Sequence, residues 1–396
     1  MPNLSPSRDI VAVLPPDTAM MPQTQTSDSR MPLPDLRHGV LHVITGLHTG
    51  GAEAQLVNLA LANHRTGMPL VVTSLIPGGV HRRRLADAGV RTLDLGMRRG
   101  HGSLLAPLAL ARLIRHTRPA VLQCWMYHAN LLATVAWLFA GRYRSTRLVW
   151  GVRCSDLDVG RYRPALKRVM SHCARLSRLP STIVANSEAG RHAHVLLGYR
   201  PDRFAVIENG IDTERFRPDA EARAAVRNDY GLGANTPLIA IVARVDPMKD
   251  YLTFIQALDR LDGVQALAIG EGTQRLGKVE RLITLGRRDD VPRLLAACDV
   301  VVSSSAFGEG FSNTIAEGMA CGLPAVATEV GDAARIVGDC GHLVPPRDPS
   351  ALAAAVRALL DDDAAALGVR ARARIEQEFS VPRMVASFNT LHGVSA

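Results

Sequence analysis

Two glutamates eight positions apart, Glu309 and Glu317, lie in the run Ser-Ser-Ala-Phe-Gly-Glu-Gly-Phe-Ser-Asn-Thr-Ile-Ala-Glu that covers residues 304–317. A carboxylate only accepts hydrogen bonds, and one carboxylate can hold two neighbouring hydroxyls of a sugar or ribose. The apolar run ahead of them, 299–302, reads as a buried strand. Gly308 and Gly310 supply a turn, Ser312 stands at an N-cap position, and a helix is expected from Asn313 onward. Glu309 then sits in the loop over the helix start and Glu317 in the second turn. The backbone N–H groups around Gly310, Phe311, Ser312 and Asn313, with the helix dipole, attract anions. The ligand described by this pattern is a phosphate with a polyol on each side, a nucleotide-sugar. Ordinary acids on a solvated helix start are the alternative.

Other residues with chemical potential fall at the ends of apolar runs. Arg244 and Lys249 follow the run 238–243, two cations just beyond the end of an expected strand. Lysine is scarce: only Lys167, Lys249 and Lys278 stand among 46 basic residues, which makes a compact ammonium at 249 informative. His128 follows the run 120–125, and ligands of open α/β sheets bind beyond the carboxyl ends of strands. Gly50 and Gly51 link the strand 40–44 to a helical pattern, where a chain without side chains can approach a ligand closely.

The 309–317 run resembles the E-x7-E element of the retaining, GT-B-fold glycosyltransferases of the large family 4, and the likeness extends in order over residues 39–390. Residues 209–218 are close to that family's N-G-[IV]-D-x-x-x-F-x-P signature. The resemblance implies an α/β fold of two Rossmann-like domains facing a cleft, and transfer of a hexose from a UDP- or GDP-linked donor to an acceptor hydroxyl with retention. It further implies that Arg244 and Lys249 hold the diphosphate, Glu309 the sugar hydroxyls and Glu317 the ribose. His128 would face the sugar from the first domain, and Gly50 and Gly51 would lie near the phosphates and the acceptor. Neither a cofactor nor a metal is implied, and acceptors are lipid-linked or saccharide. The chain departs from the family at Ala243 and Asp250, where glycine is usual, at Arg335, where glutamate is common, and in a short 271–285 segment. Asp250 is instead placed to cap the helix after it. A GT-B-fold sugar-nucleotide epimerase and a degenerate nucleotide-sugar-binding partner subunit share the architecture and remain open as alternatives.

These residues need a scaffold, and the pattern supplies one. Strands are expected at 40–44, 70–75, 90–95, 120–125, 148–153 and 182–187, the last leading to Ser187 as an N-cap, then at 238–243 and 266–270 in the second half. Domain limits follow: a Pro/Ser/Thr-rich, disordered extension over 1–37, an acceptor domain over 38–205, a donor domain over 206–375, and a final helix over 376–396 that crosses back.

Composition sets the outer bounds. The 396 residues are 47% hydrophobic and 21% charged, enough for two or three packed domains. Six scattered cysteines form no C-x-x-C pair, which points to buried thiols in a reducing compartment. No run of 18 apolar residues and no basic-then-apolar leader occurs, so a cytoplasmic protein is expected. Residues 31–200 carry a balance of +16 against −7 for the rest. That asymmetry suits an anionic membrane surface, with Arg82, Arg83, Arg84, Arg98 and Arg99 as contacts. Nucleic acid is disfavoured, because no zinc finger, helix-turn-helix or aromatic RNA motif accompanies the charge.

Overall fold

The computed structural model describes residues 33–98, 105–142, 144–155, 164–362 and 364–393. Most of the expected extension, residues 1–32, and Arg99 lie outside the described residues.

The first half alternates short apolar runs with helices, and βα repeats of that kind assemble into a parallel sheet. Its strands are β1 (Val40–Ile44), β2 (Leu70–Ser74), β3 (Thr92–Asp94), β4 (Val121–Trp125), β5 (Arg147–Val152), β6 (Thr182–Ala185) and β7 (Phe204–Val206), in the order β3-β2-β1-β4-β5-β6-β7. β7 falls at the head of the stretch that leads into the second domain, and it pairs with β6 as an edge strand. Helices α1 (Gly51–Arg65), α2 (Val80–Asp87), α3 (Leu105–Thr117), α4 (Tyr127–Ala140), α5 (Pro164–Leu176) and α6 (Glu188–Leu196) connect them. β1, β2 and β4 are buried along their whole length, as strands covered by helices on both faces must be.

The second half repeats the plan after α7 (Ala220–Asp229). Strands β8 (Leu238–Val242), β9 (Gln265–Ile269), β10 (Leu282–Gly286), β11 (Val300–Ser303), β12 (Ala325–Thr328) and β13 (Gly341–Val344) form a parallel sheet ordered β10-β9-β8-β11-β12-β13. Its helices are α8 (Tyr251–Leu258), α9 (Val291–Ala296), α10 (Asn313–Ala320), α11 (Ala333–Val337), α12 (Pro349–Asp361) and α13 (Ala364–Glu378). Between β9 and β10 a single 3-10 turn, Thr273–Arg275, takes the place of a crossover helix, in keeping with the shortness of this segment in the sequence.

The chain then returns to the first sheet as α14 (Val381–His392). The Phe388 ring lies 5.7 Å from that of Trp125, and Asn389 Nδ2 donates to Asn63 Oδ1 at 3.1 Å. His392 Nε2 meets Gln123 Oε1 at 3.0 Å, and the His42 ring lies 6.4 Å from His392. Burial holds both imidazoles far below their ordinary pKa, at about 3.

Strand order reverses between β1 and β4 in one sheet and between β8 and β11 in the other. Crevices at such reversals, beyond the carboxyl ends of the strands, are where open α/β sheets bind ligands. The sequence-expected residues follow these four strands: Gly50 and Gly51 after β1, His128 after β4, Arg244 and Lys249 after β8, Glu309 after β11.

Candidate active site

The second-domain half of the site is an ion-paired cluster. Lys249 Nζ pairs with Glu309 Oε1, and Ser305 Oγ donates to the same oxygen at 2.6 Å. Both charged side chains are largely covered, 16% and 11% exposed, so solvent screens the pair only weakly. The sequence assigns the two residues to different parts of a ligand, whereas the structure joins them. Among the described residues Glu309 Oε2 has no hydrogen-bond partner and is left as an acceptor. Arg244 is more than half exposed, and its Nε donates to Asp246 Oδ2 at 3.2 Å.

Asp250 adopts a left-handed conformation, φ +46°, and its carboxylate caps α8 by accepting from Thr253 N at 3.3 Å and Thr253 Oγ1 at 2.7 Å. The backbone at this position favours glycine, and aspartate is among the few other residues that tolerate it. The acid is therefore turned onto its own helix.

Ser312 occupies the N-cap position of α10, but its hydroxyl makes no capping hydrogen bond; it meets Thr314 Oγ1 at 3.4 Å instead. The expected cap is thus absent, and the first-turn N–H groups of α10 lack a side-chain acceptor among the described residues. Glu317, one turn on, is half-buried, and among the described residues no hydrogen bond or ion pair holds its carboxylate. Desolvation raises its pKa to about 7, with Arg215 nearby pulling the other way. An acceptor in that state gains from any hydroxyl placed against it.

The first domain closes on this cluster from the other side. Met126, at φ +70°, turns the chain sharply from β4 into α4 and sets His128 in the first helical turn. The His128 ring is exposed, and partial desolvation lowers its pKa. Tyr127 beside it hydrogen-bonds His194 of α6 through its hydroxyl at 2.9 Å. A Cβ placed on Gly51 would stand 3.7 Å from Asn313 Nδ2, so the glycine loop and the start of α10 are neighbours. Asn313 Oδ1 also accepts from Asn209 Nδ2 at 2.8 Å, and Arg153 donates to Asn209 Oδ1.

Several residues at this junction carry no motif. Arg153 follows β5, stacks 4.6 Å from the Trp125 ring, and has its pKa lowered to about 9 by burial. Arg287 follows β10 and reaches Thr49 Oγ1 of the first domain at 3.1 Å. The only sequence signal for either was an arginine just past a strand end. Arg335 pairs with Glu208 and Glu378 and stacks 4.9 Å from the Phe379 ring, so its charge is answered locally.

Comparison with known proteins gives this arrangement its family. Glycosyltransferase Family 4 matches residues 49–215, and Glycosyl transferases group 1 matches residues 236–362. The chain belongs to the group 1 glycosyltransferases. It is 37% identical over 278 residues to the D-inositol 3-phosphate glycosyltransferase of Xylanimonas cellulosilytica, covering 62% of this chain and 66% of that protein. It is 35% identical over 234 residues to the GDP-mannose-dependent alpha-(1-6)-phosphatidylinositol monomannoside mannosyltransferase of Mycolicibacterium smegmatis, covering 50% of this chain and 61% of the relative. Both alignments span just under two thirds of the relative's length. The GT-B fold is shared with HepE of Anabaena solved with UDP: TM-score 0.77, 23% identity, 90% of this chain and 99% of that one.

Proposed function

We propose that this group 1 glycosyltransferase moves a hexosyl unit from a nucleoside-diphosphate donor to an acceptor hydroxyl, with retention at the anomeric carbon. The observation that carries the proposal is the joined Lys249–Glu309–Ser305 cluster at one strand reversal, opposite the Gly50–Gly51 loop and His128 at the other. Lys249, Arg244 and the open N–H groups of α10 would stabilise the charge that develops on the departing diphosphate. These groups supply the cationic field without a metal. The bond from the anomeric carbon to the diphosphate oxygen breaks, the acceptor oxygen bonds to the same face, and the acceptor's proton leaves with the nucleoside diphosphate. Glu309 Oε2 would hold sugar hydroxyls and Glu317 the ribose.

The donor base stays a choice between UDP and GDP: a solved neighbour carries UDP, and a relative is named for GDP-mannose. A thermal-shift screen with UDP, GDP and ADP decides between them, since a ligand of the native state raises the melting temperature. A shift with one nucleotide, followed by its release from the matching sugar nucleotide only when acceptor is present, supports the transferase. Binding without turnover on any donor and acceptor supports a partner subunit, and C2 inversion an epimerase.

The acceptor side favours an anionic bilayer carrying a lipid-linked acceptor, in a glycolipid or cell-surface polysaccharide pathway. No helix among the described residues is long and apolar enough to cross a membrane. No acidic residue occurs between Asp94 and Asp156, a stretch that holds nine arginines. On α3 and α4 it exposes Leu105, Leu108, Leu138 and Phe139, with Arg115 bonded to the Phe139 carbonyl. Of the arginines named from sequence, Arg82 and Arg83 pair with Asp94 and Asp87, while Arg84 and Arg98 have no ion pair among the described residues. Each arginine near an anionic surface contributes about 1 kcal/mol at low salt. Co-sedimentation with anionic vesicles at low salt, its loss at high salt and its loss in Phe139→Ser are expected; indifference to anionic vesicles removes the membrane from the proposal.

A further inference from the structure

Asp332 stands at the N-cap of α11, yet its side chain makes no capping bond to that helix. An aspartate so placed ordinarily accepts from the second or third N–H of its own helix. This one crosses to the first domain: Oδ2 accepts from Glu188 N at 2.8 Å and Oδ1 from Ala189 N at 2.9 Å, the first two N–H groups of α6. The residue is 7% exposed, so water has little access to its carboxylate. Ser187 Oγ takes the third N–H, from Gly190, at 2.9 Å, which completes the α6 terminus with groups from both domains.

The same residue is bound to the loop that bears Glu309. Asp332 N donates to Gly310 O at 3.2 Å. Gly331, at φ +63°, packs so tightly on that loop that a Cβ there would fall 2.1 Å from Glu309 O. Gly310 in turn faces the first domain, where an added Cβ would stand 2.8 Å from Ser187 Oγ and 3.0 Å from Ser155 Oγ. Ser155 Oγ also donates to Gly308 O at 3.0 Å.

We infer that Asp332 is an interdomain latch and a positioning residue: by seating its carboxylate on the α6 terminus it holds the two domains together and fixes the Glu309 loop between them. A carboxylate on two helix N–H groups is favoured by charge-assisted hydrogen bonding and by the helix dipole. Reaching them requires the domains to be in contact, so the bond energy is available only to the closed arrangement. The inference depends on this interface alone and not on the transferase reading, so its test needs no substrate.

The experiment compares the full chain with Asp332→Asn and Glu188→Pro. Asparagine keeps the shape but offers one acceptor oxygen. Proline at the first helical position deletes the N–H that Oδ2 receives while suiting the helix, and Ser187 before it is already extended, as a residue preceding proline must be. Glu188→Ala controls for the loss of the Glu188–Arg191 pair. The expected result is a larger radius of gyration by small-angle scattering in both variants and not in the control. Amide exchange at Ala189 should also rise about tenfold in Asp332→Asn. Combining Asp332→Asn with Glu188→Pro should add little to either alone. If Glu188→Pro keeps the wild-type scattering curve, or if exchange at Ala189 is unchanged in Asp332→Asn, the latch is refuted. Should Asp332→Asn fail to fold, Glu188→Pro and its control decide by scattering alone.

Discussion

Two helix termini meet at the centre of this molecule, and they are finished differently. The start of α6 is filled: Asp332 takes its first two N–H groups and Ser187 the third. The start of α10, reached through the Gly310 loop that packs on Ser187, has no side-chain cap. Both are equally attractive to an anion by dipole and free N–H groups. One has been given its anion by the chain, so it serves closure. The other, on the helix that bears Glu317, keeps its first-turn donors without a side-chain acceptor among the described residues, and it is the terminus the proposal assigns to the ligand.

The largest break in that comparison should come from Lys249→Ala. Loss of this charge is expected to lower kcat/KM by about 10²–10³-fold, the effect of removing a charge-assisted contact to a leaving group, and to lower the melting temperature as well, because Glu309 is left covered without its counter-ion. Lys249→Arg should rescue poorly, since a planar fork does not reproduce a compact ammonium. Steady-state kinetics and a thermal melt together check it; full activity in Lys249→Ala refutes the assignment.

Glu309→Gln should separate turnover from binding. Turnover falls, because the acceptor for sugar hydroxyls is weakened. Nucleoside diphosphate binds as well or more tightly, because Lys249 loses its intramolecular counter-ion. Calorimetry with the free nucleotide reads the second half, and weaker binding contradicts it.

A third test uses pH. Glu317 is raised to about 7, so its ionised, accepting form grows as pH rises from 6 to 8, and affinity for a ribose should grow with it. Glu317→Gln should flatten that profile, while the nucleotide's own phosphate titration stays. Stability has the same sign over the middle of the first sheet, where α14 packs on β1 and β4. His42 and His392 are held neutral, with folded pKa values of about 3 against 6.5. Their contribution is full above pH 6.5 and is lost as pH falls toward 3, by up to about 1.4 kcal/mol per pH unit for each imidazole. Acid melts of His392→Gln against wild type measure this; an identical acid limb in both proteins rejects it.

The smallest effect belongs to the filled terminus. Ser187→Ala removes one cap bond from α6, with an expected loss of about 1 kcal/mol in stability and no change in nucleotide affinity. A chemical denaturation curve checks the first and calorimetry the second; weaker nucleotide binding would erase the distinction between the two termini.

The sequence by itself determined the elements and the loops between them. Alternation of apolar runs and helical patterns located the nine strands expected above to within a residue or two, since strand and helix formation depend on neighbours a few positions away, while β7 fell in a stretch that leads from one domain to the other. It also marked Ser187 as a cap and Asp250 as the cap of α8, both local bonds of three residues' reach. Tertiary structure decided the rest. Lys249 and Glu309 are 60 positions apart, and only the adjacency of β8 and β11 makes them a pair. Ser312 had the residue type of a cap without the geometry, because its hydroxyl turned to Thr314. Asp332 stands at the N-cap position of its own helix, and it serves another helix 144 positions away. A carboxylate accepts from whichever N–H the packed fold brings to it, and no local pattern records which one that is.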